Sequence, residues 1–443
     1  MQSVLLYVLG ILVVVVGLAV SIGLHEIGHL LPAKLFGVRV GQYMIGFGPT
    51  VWSRKFGETE YGLKAIPMGG YISMAGMYPP AKDGSAAART ASTGFFQTLV
   101  QDARTASAET VVVGHEERVF YKLSVWKRIV IMLGGPTMNL VIGIVLYAVL
   151  LMGFGAQQVS TTIGSVSECV VSQSSSSQEC GPDDAAAPGA AAGILPGDKL
   201  VSLDGTAITS WDQATAIIRD AAGDDLSMVV ERDGENVTLT SVPLLTERYV
   251  YDADGKVLED ADGNTVTEKV GFLGIGPAYE TVQQPITAVL PAVGDNIARV
   301  GEMIFNLPAR LVDVVNAAFG SEARDPNGPI SVVGVGRLAG EISSIDTIPI
   351  VDKVSGLIGL LASLNIALFV FNLVPLMPLD GGHVAGALWE GIRRFFAKLF
   401  GRKDPGPVDI AKLVPLTLVV VVLLGSMSAL LIYADLVKPI SIL

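Results

Sequence analysis

Apolar residues fall along this chain in two kinds of pattern. Four stretches, 4–24, 129–155, 354–375 and 413–434, are apolar almost without interruption. About 20 residues at 1.5 Å rise cross the roughly 30 Å hydrocarbon core of a bilayer, so each stretch predicts a transmembrane helix. The first lacks a basic leader and runs into His25-Glu26-Ile27-Gly28-His29 where a cleavage site would stand, which marks a retained helix and not a signal peptide. Between the second and third stretches, short apolar runs alternate with Gly, Pro and Asp-Gly turns, the pattern of β-strands.

Within 160–278 the order of these runs is specific. Gly193-Ile194-Leu195-Pro196-Gly197-Asp198 leads into a strand and the turn Asp204-Gly205; 211–222 has helical periodicity; 226–231 and 237–242 read as strands joined at Asp233-Gly234. This resembles a PDZ domain, which implies either a groove taking a peptide tail by strand addition or a gate that filters ectodomains by size. The stretch 249–269 reads as an insertion, with turns at Asp254-Gly255 and Asp262-Gly263. Beyond it, 286–319 predicts amphipathic helix broken by Pro291 and Pro308, within a membrane-associated region 285–350. Gly-punctuated runs in 37–77 predict hairpin strands dipping into the membrane. The Ala/Ser/Thr-rich 78–124 predicts a flexible linker, with no metal assigned to His115-Glu116-Glu117.

Charge orients this map. The chain carries 30 basic and 42 acidic residues, a net −12 that makes a nucleic-acid partner an unsuitable expectation. Twelve basic residues lie between the first and second spans and six between the third and fourth; by the positive-inside rule both loops are cytoplasmic. The segment 157–353 has eleven basic against 29 acidic residues and faces outward, with both termini. The expected architecture is a polytopic α-helical membrane protein. Its transmembrane segments are 1–36, 125–156, 354–383 and 413–436; a re-entrant hairpin (37–77), an extracytoplasmic α+β domain (160–278) and a basic cytoplasmic loop (384–412) complete it. Cys169 and Cys180 lie in the outer segment, either bridged across the Ser-rich stretch between them or as two free thiols.

The candidate chemistry sits inside the membrane. Residues i and i+4 share a helical face, so His25 and His29 can reach one metal ion, with Glu26 beside them to hold an attacking water. An ionisable residue in a membrane helix costs roughly 2.5 to 3.5 kcal/mol on insertion scales, so such a cluster is a functional site by default. Catalytic zinc takes three protein ligands. The third candidate is Asp380, where Pro375 and Pro378 break the third span and free backbone groups that hydrocarbon does not tolerate without a polar or packed surrounding. His383 is the alternative ligand. The first and third spans both run inward and bring their motifs to one depth.

The His-Glu-x-x-His of the first span, Asn372 to Pro375 with Leu379-Asp380-Gly381 of the third, and the PDZ-like loop between them resemble the site-2 protease family of intramembrane zinc metalloproteases. The likeness is closest to the bacterial PDZ-containing branch, the regulator of sigma-E protease type. Gly134-Gly135-Pro136-Thr137-Met138-Asn139 resembles the family's Gly-Pro-x-x-Asn, and Gly328-Pro329-Ile330 its Gly-Pro-Ile segment. Where the family often has Pro-x-Pro, this chain has Pro375-Leu376-Met377-Pro378. The resemblance implies Zn2+ on His25, His29 and Asp380, and Glu26 as general base and then acid. It implies Asn372 as a donor to the substrate backbone, and a strand edge at Gly70, Tyr71 and Ile72 that pairs with an unwound substrate. The implied reaction is hydrolysis within or near the membrane segment of single-span proteins, such as anti-sigma factors or remnant signal peptides, in the lipid bilayer of a bacterial cell membrane. Two other classes compete for the same residues: a metal or proton transporter, which the lack of an inverted repeat disfavours, and an inactive PDZ adaptor, which the intact ligand set disfavours.

Overall fold

A computed structural model describes residues 2–80, 95–170, 180, 184–250, 257, 258, 260, 264–321 and 324–440. The expected turns at 254–255 and 262–263 and the Ser-rich stretch 172–178 lie outside them. The chain forms two compact units, one of 1–154 with 284–443 and one of 155–283.

The first unit begins with α1 (Gln2–Leu35), whose 34 residues extend about 51 Å. It outruns the predicted stretch because Leu30 and Ala33 continue its apolar surface into the core, so the His25–His29 pair lies inside a helix and not at its end. Two long strands follow, β1 (Val40–Phe56) and β2 (Thr59–Met74). Each folds back on the other: residues 42–45 pair with 60–63 along one side and 70–73 along the other, while 50–56 pair with 59–64. Gly46 (φ 94°), Gly48 (φ 85°) and Gly69 (φ 109°) supply the left-handed backbone that these folds require. The Tyr43 hydroxyl donates to the Gly23 carbonyl at 2.7 Å and ties the sheet to α1. The expected flexible linker contains α2 (Phe95–Glu109), held because Tyr78 N–H donates to the Ser107 hydroxyl at 2.9 Å and Arg104 pairs with Asp409. Then α3 (Val125–Ala148) continues as a π-helical turn to Phe154. Helices α1 and α3 cross in backbone contact: a Cβ on Gly28 would lie 2.3 Å from the Gly134 carbonyl oxygen, and one on Gly134 2.0 Å from that of Gly28. Small residues are what permit so close a crossing in a membrane.

The second unit holds β3 (Ala156–Val166), α4 (Pro188–Ala191), β4 (Lys199–Leu203), β5 (Thr206–Ala207), α5 (Trp211–Asp220), β6 (Leu226–Arg232), β7 (Glu235–Ser241), β8 (Leu244–Tyr249), β9 (Thr267–Phe272) and β10 (Ile275–Val282). An antiparallel sheet runs β10-β3-β4-β6-β7, β5 pairs with β4, and β8 pairs with β9. Ile163, Leu200, Leu203, Leu226, Met228 and Leu273 form its core. Pairing of Ala156 with Val282 extends the unit beyond the expected 160–278. The Ser210 hydroxyl caps α5 by accepting from Gln213 N–H, and Asp233-Gly234, both at positive φ, close the β6–β7 hairpin.

The first unit resumes with α6 (Val289–Phe305), α7 (Leu307–Phe319), α8 (Val332–Ser344), α9 (Ile350–Leu373), α10 (Asp380–Leu399) and α11 (Val414–Val437). Pro291 does not break α6: it sits in the first turn, where its missing N–H costs nothing, and the chain bends only at Asn306. Asn296 on α6 donates to Tyr147 Oη (2.7 Å) and Ser363 Oγ (3.2 Å), joining it to α3 and α9. Val335 and Ala339 of α8 pack on Val14 of α1 and Leu357 of α9. The expected basic loop 384–412 is largely the helix α10, because a buried face of small residues and Glu390 docks on α3 and pairs with Arg128.

Among the described residues, four helical segments are long and apolar enough to cross a membrane: Ser3–Leu35, Val125–Phe154, Ile350–Leu373 and Ile410–Val437. The rest of the chain covers only 6% of the last one's apolar window, leaving a lipid-facing surface.

Candidate metal centre

Three elements bring the candidate ligands together. His25 and His29 stand one turn apart on α1 with ring centres 4.8 Å apart. The helix interruption at 374–379, between α9 and α10, delivers Asp380 as the first residue of α10. Asp380 Oδ2 lies 3.4 Å from His25 Nε2 and 3.3 Å from His29 Nε2, and these two nitrogens are 3.2 Å apart.

Whether a metal fits can be judged from the surroundings. Asp380 Oδ2 is buried and accepts no well-aligned hydrogen bond. Across from it, a Cβ on Gly135 would lie 2.2 Å from His29 Nε2 and 2.7 Å from His25 Nε2, so the glycine leaves open the space that the ligand atoms face. Two imidazoles and a carboxylate are a donor set of catalytic zinc. The residues fit the ion.

Helix α3 also fixes both rings. His29 Nδ1 donates to the Ile131 carbonyl at 2.7 Å, which leaves the Nε2 lone pair for metal. The buried Asn139 amide lies 3.1 Å from His25 Nδ1. With its oxygen turned to that nitrogen it accepts the Nδ1–H, frees His25 Nε2 as well, and no longer leaves Oδ1 unpartnered. Glu26 is buried beside the pair, and a Cβ on Gly70 would lie 2.9 Å from its Cγ and 3.2 Å from its Oε1, so backbone of β2 runs directly over the carboxylate.

The other expected residues fall as follows. The Tyr71 hydroxyl donates to Gln42 Oε1 at 3.3 Å, and its ring stacks on Phe47. Ile72 packs on the cluster containing Val40 and Met74. Asn372 lies in the last turn of α9, one element before the helix that Asp380 opens, and makes no side-chain hydrogen bond among the described residues. His383 is not among the converging donors, and its buried Nδ1 has no partner. Cys169 and Cys180 are joined by a disulfide. Sequence reasoning missed what Gly28, Gly135 and Asn139 do. The Gly-Gly-Pro-x-x-Asn run was visible, but only the fold shows that its glycine and asparagine face the histidines. In the second unit a cavity of about 260 Å³ opens between α5 and β9, lined by Trp211, Ile218, Arg248, Phe272 and Gly274.

Zinc-type donors with a neighbouring glutamate, enclosed by apolar helices, define a class: a metalloprotease of the membrane. The profile of peptidase family M50 matches residues 13–403, and the chain belongs to that family, the site-2 proteases. It is 34% identical to the zinc metalloprotease Rip1 of Mycobacterium tuberculosis over 98% of this chain and 99% of the relative. Rip1 of Mycolicibacterium smegmatis is 32% identical over 99% and 100%, and the metalloprotease MmpA of Caulobacter vibrioides 29% over 85% of each. The protein is a multi-pass membrane zinc metalloprotease, which sets aside the transporter and adaptor alternatives.

Proposed function

We propose that the enzyme hydrolyses peptide bonds within or near the membrane segments of single-span proteins, with His25, His29 and Asp380 holding zinc and Glu26 moving the proton. The observation that carries this reading is the β2 backbone laid over Glu26 at Gly70. Among the described residues 70–73 pair with 42–45 on one side only, so their other edge has backbone groups to offer an unwound substrate strand.

Zinc in this position supplies a Lewis acid that acidifies water and polarises a peptide carbonyl. The remaining work falls to the chain. Gly70, Tyr71 and Ile72 hold the substrate extended across the site. Glu26 takes a proton from the attacking water and returns it to the leaving amine nitrogen. Asn372 offers its amide to the substrate backbone as the unwound strand settles. The surrounding spans exclude bulk water.

The distribution of basic residues supports both termini and the β unit outside the cytoplasm, with the triad toward the cytoplasmic side. In the β unit, the turn, strand and helix order and the cavity beside Phe272 and Gly274 support a PDZ domain that receives a peptide tail or gates ectodomains. Anti-sigma factors already trimmed outside, and leftover signal peptides, are substrates of the expected kind.

The test reconstitutes the full chain in vesicles with a single-span substrate and maps products by mass spectrometry. Cleavage inside the span, abolished by Glu26→Gln with zinc retained, is the expected result. Cleavage confined to soluble loops, or undiminished in Glu26→Gln, would overturn the proposal.

A further inference from the structure

A membrane gives packed helices little apolar reason to prefer one register over another, because lipid tails are as apolar as the helices themselves. In α1, residues 8–20 are apolar at every position, so no polar face dictates how the helix turns or slides against its neighbours. Its contact with α9 is made in two successive turns. A Cβ on Gly17 would lie 2.8 Å from the Leu361 side chain, and one turn further along both helices the Asn365 amide donates to Ser21 Oγ at 3.0 Å. The two helices therefore run parallel there. The next turn of α1, about 6 Å along its axis, carries His25 on the same face as Ser21.

Among the described residues, the bond from Asn365 to Ser21 is the only hydrogen bond that joins α1 to α9, and it leaves an atom unsatisfied. Both side chains are buried, Asn365 completely. The Asn365 amide nitrogen also donates to the Leu361 carbonyl at 2.8 Å, which fixes its orientation: turned over, the amide oxygen would face that carbonyl oxygen. Oδ1 is thus buried with no partner. A leucine at 365 would bury no unmatched acceptor. Where buried polar groups persist against stability, fixing the register of packed helices is their best-attested use.

What this register controls can be followed along both helices. Helix α1 carries His25 and His29 one and two turns beyond Ser21, and α9 leads through the interruption at 374–379 to Asp380. We infer that Asn365 and Ser21 are positioning residues of the metal centre: the bond between them sets the height of the two imidazoles relative to the segment that delivers the carboxylate. The inference rests on the reading of His25, His29 and Asp380 as the zinc ligands.

The test measures zinc affinity and stability separately. The purified, zinc-free full chain is titrated with zinc against a competing chelator, and its unfolding midpoint is read without metal. Asn365→Leu and Ser21→Ala should each weaken zinc binding on the order of tenfold, while the metal-free midpoint of Asn365→Leu does not fall below the parent's. The double variant should bind zinc no more weakly than the weaker single, because both substitutions break one bond. Ser21→Thr, which keeps the hydroxyl, should bind as the parent does. Ser21→Ala leaves the Asn365 amide on the Leu361 carbonyl and decides the question if Asn365→Leu does not fold. Parent-like affinity in Ser21→Ala, losses that multiply in the double variant, or a loss of affinity found only with a lowered midpoint would overturn the inference. His25→Ala separates this from the ligand assignment: it should abolish tight uptake, and unchanged uptake would overturn that assignment and the inference with it.

Discussion

Replacing Gly135 with Ala tests the metal centre without touching a ligand. The added Cβ would stand 2.2 Å from His29 Nε2 and 2.7 Å from His25 Nε2, where ordinary contact begins at 3.4 Å. The nearer imidazole must move by about 1 Å, several times the roughly 0.2 Å that zinc–nitrogen bonds of about 2.0–2.1 Å tolerate. Loss of an outer hydrogen bond to a ligand costs about 10- to 100-fold in metal affinity, and displacement of the ligand itself should reach at least the upper figure, about 2.7 kcal/mol at 1.36 kcal/mol per tenfold. Overpacking should also lower stability by about 1–3 kcal/mol. The assay is titration of the purified, zinc-free full chain against a competing chelator, alongside thermal unfolding. Gly425→Ala is the control, since nothing lies within 4 Å of its added carbon. If Gly135→Ala took up zinc within about threefold of the parent, the two imidazoles would not face α3 in the way described.

Other expectations are equally direct. Gly70→Ala drives a carbon to 2.9 Å from Glu26 Cγ and should cut turnover at least about tenfold while zinc content stays at the parent level, as read by metal analysis beside a cleavage assay. Glu390→Ala leaves Arg128 buried without its partner and should cost about 3–5 kcal/mol in denaturant unfolding, whereas Arg128→Met with Glu390→Met should recover most of that loss. In the second unit Arg232 contacts Asp198 through two bonds of 2.7 Å and holds its carboxyl below the usual aspartate range. A depressed folded pKa means that this stabilisation is complete above about pH 4 and disappears as pH falls through the lowered value. Asp198→Asn should flatten that acid limb in hydrogen-exchange protection of 199–232, and an unchanged limb would exclude the pair as its source.

What could be read from the sequence divides along physical lines. The four spans were legible because a bilayer imposes length and apolarity on contiguous residues, and the two histidines because i and i+4 share a face. Asp380 was legible because its prolines break a helix where hydrocarbon does not tolerate a break. Gly135 was not, since its part depends on a crossing between α1 and α3 that no local pattern encodes. Helix α10 was read as a loop because its basic residues suggested solvent; the sequence alone did not reveal that Glu390 would be buried against Arg128 and the aromatics turned outward. The interval holding α2 reads as a linker because it is rich in Ala, Ser and Thr, and its order comes from contacts such as Arg104 with Asp409.

The candidate ligands lie on two separate pieces of the chain, His25 and His29 on α1 and Asp380 at the head of α10, 351 residues beyond His29. A metal held by all three would act as a cross-link closing about four-fifths of the polypeptide into a ring. Its binding free energy would then also be cohesion between the first helix and the last third of the protein. Depleting the metal would silence the site and, in the same event, loosen the grip of α10 on the helices that frame it.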